Sequence, residues 1–404
     1  MTLTIFLFHR DFRLEDHYPL QKALDTGNEV LPLFIFTPEQ VGHKAPIKSE
    51  KSIQCMIQGL KELDQTLKSK YKSSLSIMYG DNIEVLESIY KKHKFEFLYE
   101  TKDYTPYAKK REKRIADFCK DKGISFEAID DLYLFPPGSI LTGGGRTYQK
   151  FTPFYESAKK LKVNAPTGWV KGKFSKMNLS NTDYPILKGE TFYKGGRTEG
   201  LYLLKTLPEN YDKTKDFMYI ETSGLSVHHH FGTVSVRESY AVGIKHSHMK
   251  DFIRQLYWRD FYGHIMSAFE NLYGIDAINF EKDWPKLTKD EEADFKAWRE
   301  GKTGIEIIDA GMNQLNTSGY MHNRARLVCA SYLIKTLEIP WRLGERYFAN
   351  HLLDYDITQN MMNWCFVASN LPFSEAPFRK HNPDSYTKRF DASGAYRDAW
   401  LEDV

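Results

Sequence analysis

The sequence lacks most features that would settle its class at a glance. Its 404 residues include only four cysteines, Cys55, Cys119, Cys329 and Cys365. None forms a CxxC pair, so the spacing encodes neither a zinc site nor an iron–sulfur site, and free cytosolic thiols follow. No apolar run approaches the roughly 18 residues of a membrane helix. The segment from Met1 to Phe8 runs straight into a strand-like pattern, without the basic start or small-residue cleavage site of a signal peptide. Formal net charge is only +3. Any nucleic-acid-binding charge therefore has to be a local patch. Gly143-Gly144-Gly145 is followed by no GK[ST], which removes a phosphate loop. The run His228-His229-His230 spreads its rings in different directions if helical, which argues against a metal centre. Internal repeats and low-complexity tracts are also missing.

Apolar residues make up 41% and aromatics 14% of the chain. That is ample for large cores in two or more domains. Residues 1–130 alternate short apolar runs with amphipathic helices. The predicted strands are Leu3–Phe8, Val30–Phe36, Leu75–Tyr79, Phe95–Glu100 and Ile124–Ile129. Between the second and third, Ile53, Met56, Ile57, Leu60, Leu63 and Leu67 follow a helical period. A further helix, Tyr107–Lys120, is strongly basic outside. The pattern predicts an α/β domain with a doubly wound parallel five-stranded sheet. Residues 131–195 break every period with Pro136-Pro137, the glycine triplet and scattered Asn and Ser; they read as a connector. Residues 196–404 read as an all-helical domain, with apolar stripes such as Ile308, Met312, Leu315 and Leu327, Ala330, Ile334, Leu337.

Four segments of the helical half carry candidate chemistry. In LLDYDITQNMMNW, Asp356, Asn360 and Trp364 fall at i, i+4 and i+8, one line on a helix. A carboxylate, an amide and an indole in line suit a polar, aromatic cofactor. In GYMHNRARL, Arg326 is in phase to pair with Asp354 or Asp356. In QLYWRDFYGH, Trp258, Phe261 and Tyr262 form an aromatic ledge beside Arg259, able to stack a base and hold a phosphate. In ETSGLS, hydroxyls and backbone amides at a helix start suit phosphate. Taken singly, each segment also fits ordinary core packing or capping.

Together these segments resemble the photolyase/cryptochrome family along the whole chain. FHRDFRLEDHYPL resembles its opening strand and turn, and DDLYLFPPGSILT with YQKFTPF its interdomain stretch. TSGLS, YWRDFYGH, EGKTGIEIIDAGMNQLNTSGYMHNRAR, WRLGERYF and LLDYD…QN…NW resemble its flavin domain in order. FDASGAYRDAWL resembles its closing motif. The resemblance implies a bent FAD in the helical domain of residues 196–404. Tyr211, Thr222, Ser223, Gly224, Leu225 and Ser226 would hold its phosphates and ribityl chain, with Gly224 standing where many relatives carry Arg. Arg326 would pair with Asp354 near the ring, Asp356 would face the polar edge of the ring, and Asn360 would approach N5. Trp364, Trp341 and Trp284 would form the electron chain that reduces oxidised flavin. The substrate implied is UV-damaged DNA with a flipped dimer, met by Gln255, Trp258, Arg259, Asn323 and Arg324. The resemblance also implies a place for a second, antenna chromophore in the α/β domain, lined by Asp103–Arg111, which is filled by folate or deazaflavin in some relatives and can also stand empty.

Within the family the pattern is nearest to enzymes that split cyclobutane pyrimidine dimers by electron transfer from reduced FAD. Gln255 departs from it, because those relatives usually carry glutamate there. The (6-4) photolyases use two histidines where this chain has Asn323 and Leu327, so their proton donor is missing. The other readings are a blue-light receptor without repair, and a nucleotide-binding α/β protein unrelated to light. The end at Val404 lacks the long tail of many signalling relatives. A monomer without a membrane role is expected, cytoplasmic or nuclear.

Overall fold

The computed structural model describes residues 3–43, 45–185, 191–269, 285–369 and 374–401. The five expected strands are present: β1 Leu3–Phe8, β2 Glu29–Phe36, β3 Ser76–Tyr79, β4 Phe95–Thr101 and β5 Ser125–Ile129. All neighbouring pairs are parallel, in the order β3-β2-β1-β4-β5. Strand β1 is buried throughout. Phe6 and Phe8 join the core on one side of the sheet, and Leu3, Ile5 and Leu7 the core on the other. Burial on both faces explains why β1 reads as a continuous apolar run rather than an alternation.

The helix Glu50–Thr66 is capped by the Ser49 hydroxyl, which accepts from the Ser52 amide. It ends in a π turn, Leu67–Tyr71. The basic helix is Pro106–Lys122, with proline at its start and Gly123 in a left-handed conformation at its end. Residues 131–185 are irregular apart from the helix Phe151–Ala158. Part of this stretch covers the outer edge of β3. The Asn181 amide donates to the Ile77 carbonyl at 3.0 Å, while the Ile77 amide donates to the Ser180 hydroxyl at 2.9 Å. The Tyr79 amide donates to the Asn181 side chain at 2.9 Å.

From Arg197 onward every described element is a helix. Their core holds Trp298, Ile308, Met312, Leu315, Ala330, Leu333 and Trp364, so the first expected stripe is buried throughout; of the second only Ala330 is buried, with Leu327, Ile334 and Leu337 partly buried against the core and Leu337 beyond the end of its helix at Lys335. The two halves share a core in which Phe6 and Phe12 meet Val227, Phe231 and Leu353. They also share buried ion pairs. Arg10, just after β1, reaches Asp356 at 2.7 Å and Asp103 at 3.0 Å.

Candidate functional site

The helix Ile357–Ala368 organises the site. Asp356 is its N-cap, with a side-chain oxygen accepting from the Gln359 amide at 3.1 Å. The helical period then places Asn360 and Trp364 on the face that Asp356 begins. All three line a cavity of about 220 Å³. Its other walls include Ser226, Tyr320, Met321, Arg326, Phe348 and Asp354. One side is thus amide, carboxylate and guanidinium, while the other is apolar.

The expected Arg326–Asp354 pair is present, with one guanidinium nitrogen 2.9 and 3.1 Å from the two carboxylate oxygens. Arg326 also donates to the Met321 carbonyl at 2.8 Å, which fixes its plane. The Asn360 amide donates to the Glu345 carboxylate at 3.0 Å. Burial raises the pKa of Glu345 above the ordinary carboxylate range. Asp356 behaves oppositely. Burial alone would raise its pKa, yet the Arg10 guanidinium outweighs that and holds the carboxyl well below the usual range. Both Asp356 oxygens are engaged, one by Arg10 and one by the Gln359 amide.

The short helix Ser226–Phe231 has no side-chain cap at its start. Its first residue lines the cavity, and the backbone N–H groups of a helix start are donors suited to an anion. Beside it, the Thr222 hydroxyl lies 3.3 Å from the Tyr320 hydroxyl. Gly224 has φ +62°, a left-handed conformation that favours glycine. Tyr211 and Leu225 are buried and pack in the core behind this turn.

The aromatic ledge is built as follows. Trp258 stacks on Phe151 with centroids 3.7 Å apart and planes 6° apart, so one of its faces is covered by the connector. Its neighbour Tyr262 donates to Asn363, a residue of the cavity wall, at 3.4 Å. Gln255 and Asn323 are exposed, and Asn323 stands at the cavity. Arg259 and Arg324 are occupied within the protein. Arg259 donates to the Leu132 carbonyl and lies over the Tyr133 ring at 4.7 Å. Arg324 pairs with Asp216 at 2.7 Å.

Trp364 is buried and touches Phe348 and Trp298, with centroids 5.0 and 6.4 Å away. Trp341 is partly buried between two apolar clusters. Trp284 lies outside the described residues. The three consecutive histidines diverge: His228 meets Thr233, His229 meets Ser239 and His230 approaches Asp356. All four cysteines are buried, and none forms a disulfide.

A second cavity, of about 300 Å³, lies at the carboxyl ends of β1, β2 and β4. That is the switch point of the strand order, where open α/β sheets bind ligands. Asp103, Thr105, Tyr107, Ala108 and Arg111 line it, as the sequence suggested for DYTPYAKKR. Arg10 and Arg111 also line it, and the Nε of each is buried without a hydrogen-bond partner among the described residues. A flat anionic ligand would meet those donors. Tyr355 lines both cavities.

Two residues escaped the sequence reading. Arg10 stood in the quoted opening motif with no role given, and Glu345 stood in WRLGERYF. Glu345 did leave a signal: it is a charged residue in a helix whose Leu343, Phe348 and Ala349 are buried.

A parallel α/β domain joined to a helical domain that holds a cavity with one polar and one apolar side suits a flat cofactor with a polar edge. Family models for "FAD binding domain of DNA photolyase" and "DNA photolyase" match residues 252–404 and 4–169. A deoxyribodipyrimidine photo-lyase of Vibrio cholerae is 30% identical over 98% of this chain and 89% of its own. An archaeal photolyase from Sulfolobus tokodaii, solved with two FAD molecules, is 34% identical, with a TM-score of 0.85 over 100% of this chain and 90% of its own. A class III photolyase from Agrobacterium tumefaciens is 27% identical, with a TM-score of 0.88 over 99% of this chain and 87% of its own. The chain belongs to the photolyase/cryptochrome family, and FAD is its cofactor. The cavity fits that group in having uncapped amides for phosphates and a polar edge opposite an apolar wall.

Proposed function

We propose that the protein splits cyclobutane pyrimidine dimers in DNA under blue light. The observation that carries this reading is the single helical face on which Asp356, Asn360 and Trp364 line a cavity closed by the Arg326–Asp354 pair. FAD held there would supply light-driven one-electron chemistry. The amides at Ser226 and the hydroxyls of Thr222 and Ser223 hold its phosphates, with Tyr211 and Leu225 shaping the turn behind them. Arg326 and Asp354 fix its orientation as a neutral pair, and Asn360 offers an amide to the ring.

DNA presents the damaged pair at the rim, extruded from the duplex. Trp258, already backed by Phe151, offers its remaining face for stacking. Gln255 and Asn323 supply exposed polar groups beside it. Arg259 and Arg324 reach phosphate by sharing or leaving their present partners. Asn323 and Leu327 offer no proton donor, which disfavours (6-4) lesions. Trp364 and Trp341 relay electrons inward when the flavin is oxidised.

The second cavity takes an antenna chromophore. The Sulfolobus tokodaii relative with two FAD molecules favours a second flavin over a folate or deazaflavin. Two unpartnered arginine nitrogens in that cavity support an anionic ligand. The protein acts as a cytoplasmic or nuclear monomer.

The deciding experiment reduces the protein, adds oligothymidine carrying cyclobutane dimers and illuminates with blue light. Recovery of thymine absorbance that needs light supports repair. Bound FAD without recovery supports the other reading, a blue-light receptor.

A further inference from the structure

The chain is close to neutral overall, with 56 basic and 53 acidic residues, yet its charge is segregated. Between Glu156 and Asp183 stand Lys159, Lys160, Lys162, Lys171, Lys173 and Lys176, with no acidic residue among them. Between Asp64 and Asp81 stand Lys68, Lys70 and Lys72, again with no acid. The two tracts are far apart in sequence, and the fold brings them together.

Tyr71, at the end of the π turn, donates to the Val170 carbonyl at 2.7 Å. One residue before each of these, the Lys70 ammonium lies 3.9 Å above the centre of the Trp169 ring. The helix Tyr18–Leu24 completes the surface. Gln21 exchanges hydrogen bonds of 2.8 and 2.9 Å with the backbone of Lys171, and Lys22 lies over the Tyr18 ring. Trp169 is 39% exposed and Tyr18 51% exposed. Carboxylates nearby are already taken: Asp64 by Lys68, Glu15 by Arg197, and Asp25 by the Gln21 amide. Among the described residues, Lys70, Lys171, Lys173 and Lys176 make no ion pair. None of these residues lines either cavity.

We propose that this surface is a second DNA-binding face, which grips the phosphate backbone of undamaged duplex away from the lesion. The inference rests on the reading that DNA is the substrate. Unpaired exposed lysines release counterions from a polyanion and read no sequence. The exposed indole and phenol add flat, amphipathic contact beside the sugars. A second grip on the same polymer raises the local concentration of DNA at the first, which prolongs residence on long duplexes and does nothing for short fragments.

The test compares wild type with the triple variant Lys70→Ala, Lys171→Ala, Lys173→Ala. Binding to an undamaged duplex of roughly 40 base pairs is measured against salt. Each phosphate contact contributes about 0.9 to the log–log slope, so the variant should lose about 2 to 3 and bind at least tenfold more weakly at low salt. Light-driven repair of a six-nucleotide single strand carrying a dimer should stay unchanged, with FAD content as the folding control. An unchanged salt slope in the long duplex overturns the proposal. So does a loss confined to vesicles containing phosphatidylserine, which would make this a membrane-facing surface. Wild-type protein that fails to repair the short strand counts against the repair reading, whereas the duplex slope bears on this surface.

Discussion

Asn360 and Glu345 share a hydrogen bond of 3.0 Å between two buried side chains, the amide donating and the carboxylate accepting. The bond aims an amide that lines the cavity proposed for the flavin. Glu345→Gln leaves an oxygen to accept from Asn360, whereas Glu345→Leu leaves the amide only its longer bond, 3.4 Å, to the backbone carbonyl of residue 345. We expect the leucine variant to lose about 1–3 kcal/mol of stability and to shift the flavin midpoint potential, with glutamine close to wild type. Denaturant titration and spectroelectrochemistry check this. Equal behaviour of the two variants would mean that the bond positions nothing.

Arg10 stands between Asp103 and Asp356 and is itself partly buried. Arg10→Ala removes the nearest counter-charge of two buried carboxylates, leaving Asp103 with Arg111 and Asp356 with Arg259 and His230. The expected cost is about 3–5 kcal/mol near neutral pH. Acid should narrow the gap to wild type. Without Arg10, burial raises both carboxyl pKa values, and protonation then relieves the penalty. Urea unfolding at neutral and mildly acidic pH provides the comparison.

His228 and His322 are buried neutral, and burial pushes the pKa of each down to about 4. Unfolding exposes them to an ordinary value of about 6.5. Between those values the unfolded chain binds protons that the folded chain refuses. Their contribution is therefore complete above pH 6.5 and is lost as pH falls through that window. Each group should cost about 1 kcal/mol per pH unit. His228→Asn should flatten the measured slope by one proton; an unaltered slope would place the acid sensitivity elsewhere.

Gly344 gives Trp364 its room. A methyl group at this position would fall 2.3 Å from the Trp364 ring and 2.5 Å from Leu333. Gly344→Ala should therefore cost about 1–3 kcal/mol and displace the indole from the cavity wall. Thermal melting together with the rate of flavin photoreduction reports both effects.

Trp258→Ala should weaken binding of dimer-containing DNA about tenfold or more, since stacking is worth about 1–3 kcal/mol per base. FAD content should not change, because Trp258 does not line the flavin cavity. A fluorescence-anisotropy titration at fixed salt measures the loss.

The sheet was legible because β1 to β3 are short, mostly apolar runs and β4 and β5 are short strands rich in aromatic and aliphatic residues between helical periods, and their ends fell within a residue or two of expectation. The Asp356–Asn360–Trp364 face was legible because helical spacing alone puts those positions in line. What sequence could not reveal is who satisfies whom across long separations. Arg10 and Asp356 are 346 positions apart, and no local pattern announces their pairing. Arg259 and Arg324 read as free cations, while tertiary packing gives them Leu132 and Asp216 as partners. Stacking of Trp258 on Phe151 was hidden for the same reason.

The strip formed by Ser180 and Asn181 along β3 also governs how molecules treat one another. An open strand edge is a template on which a neighbour's chain can add itself, and parallel sheets rich in Phe, Ile and Leu are prone to this. Here the available amides and carbonyl of β3 are already committed within the same molecule. On that flank, fibril-like growth is blocked as soon as the strip docks, and a chain nicked or shortened there would be expected to clump.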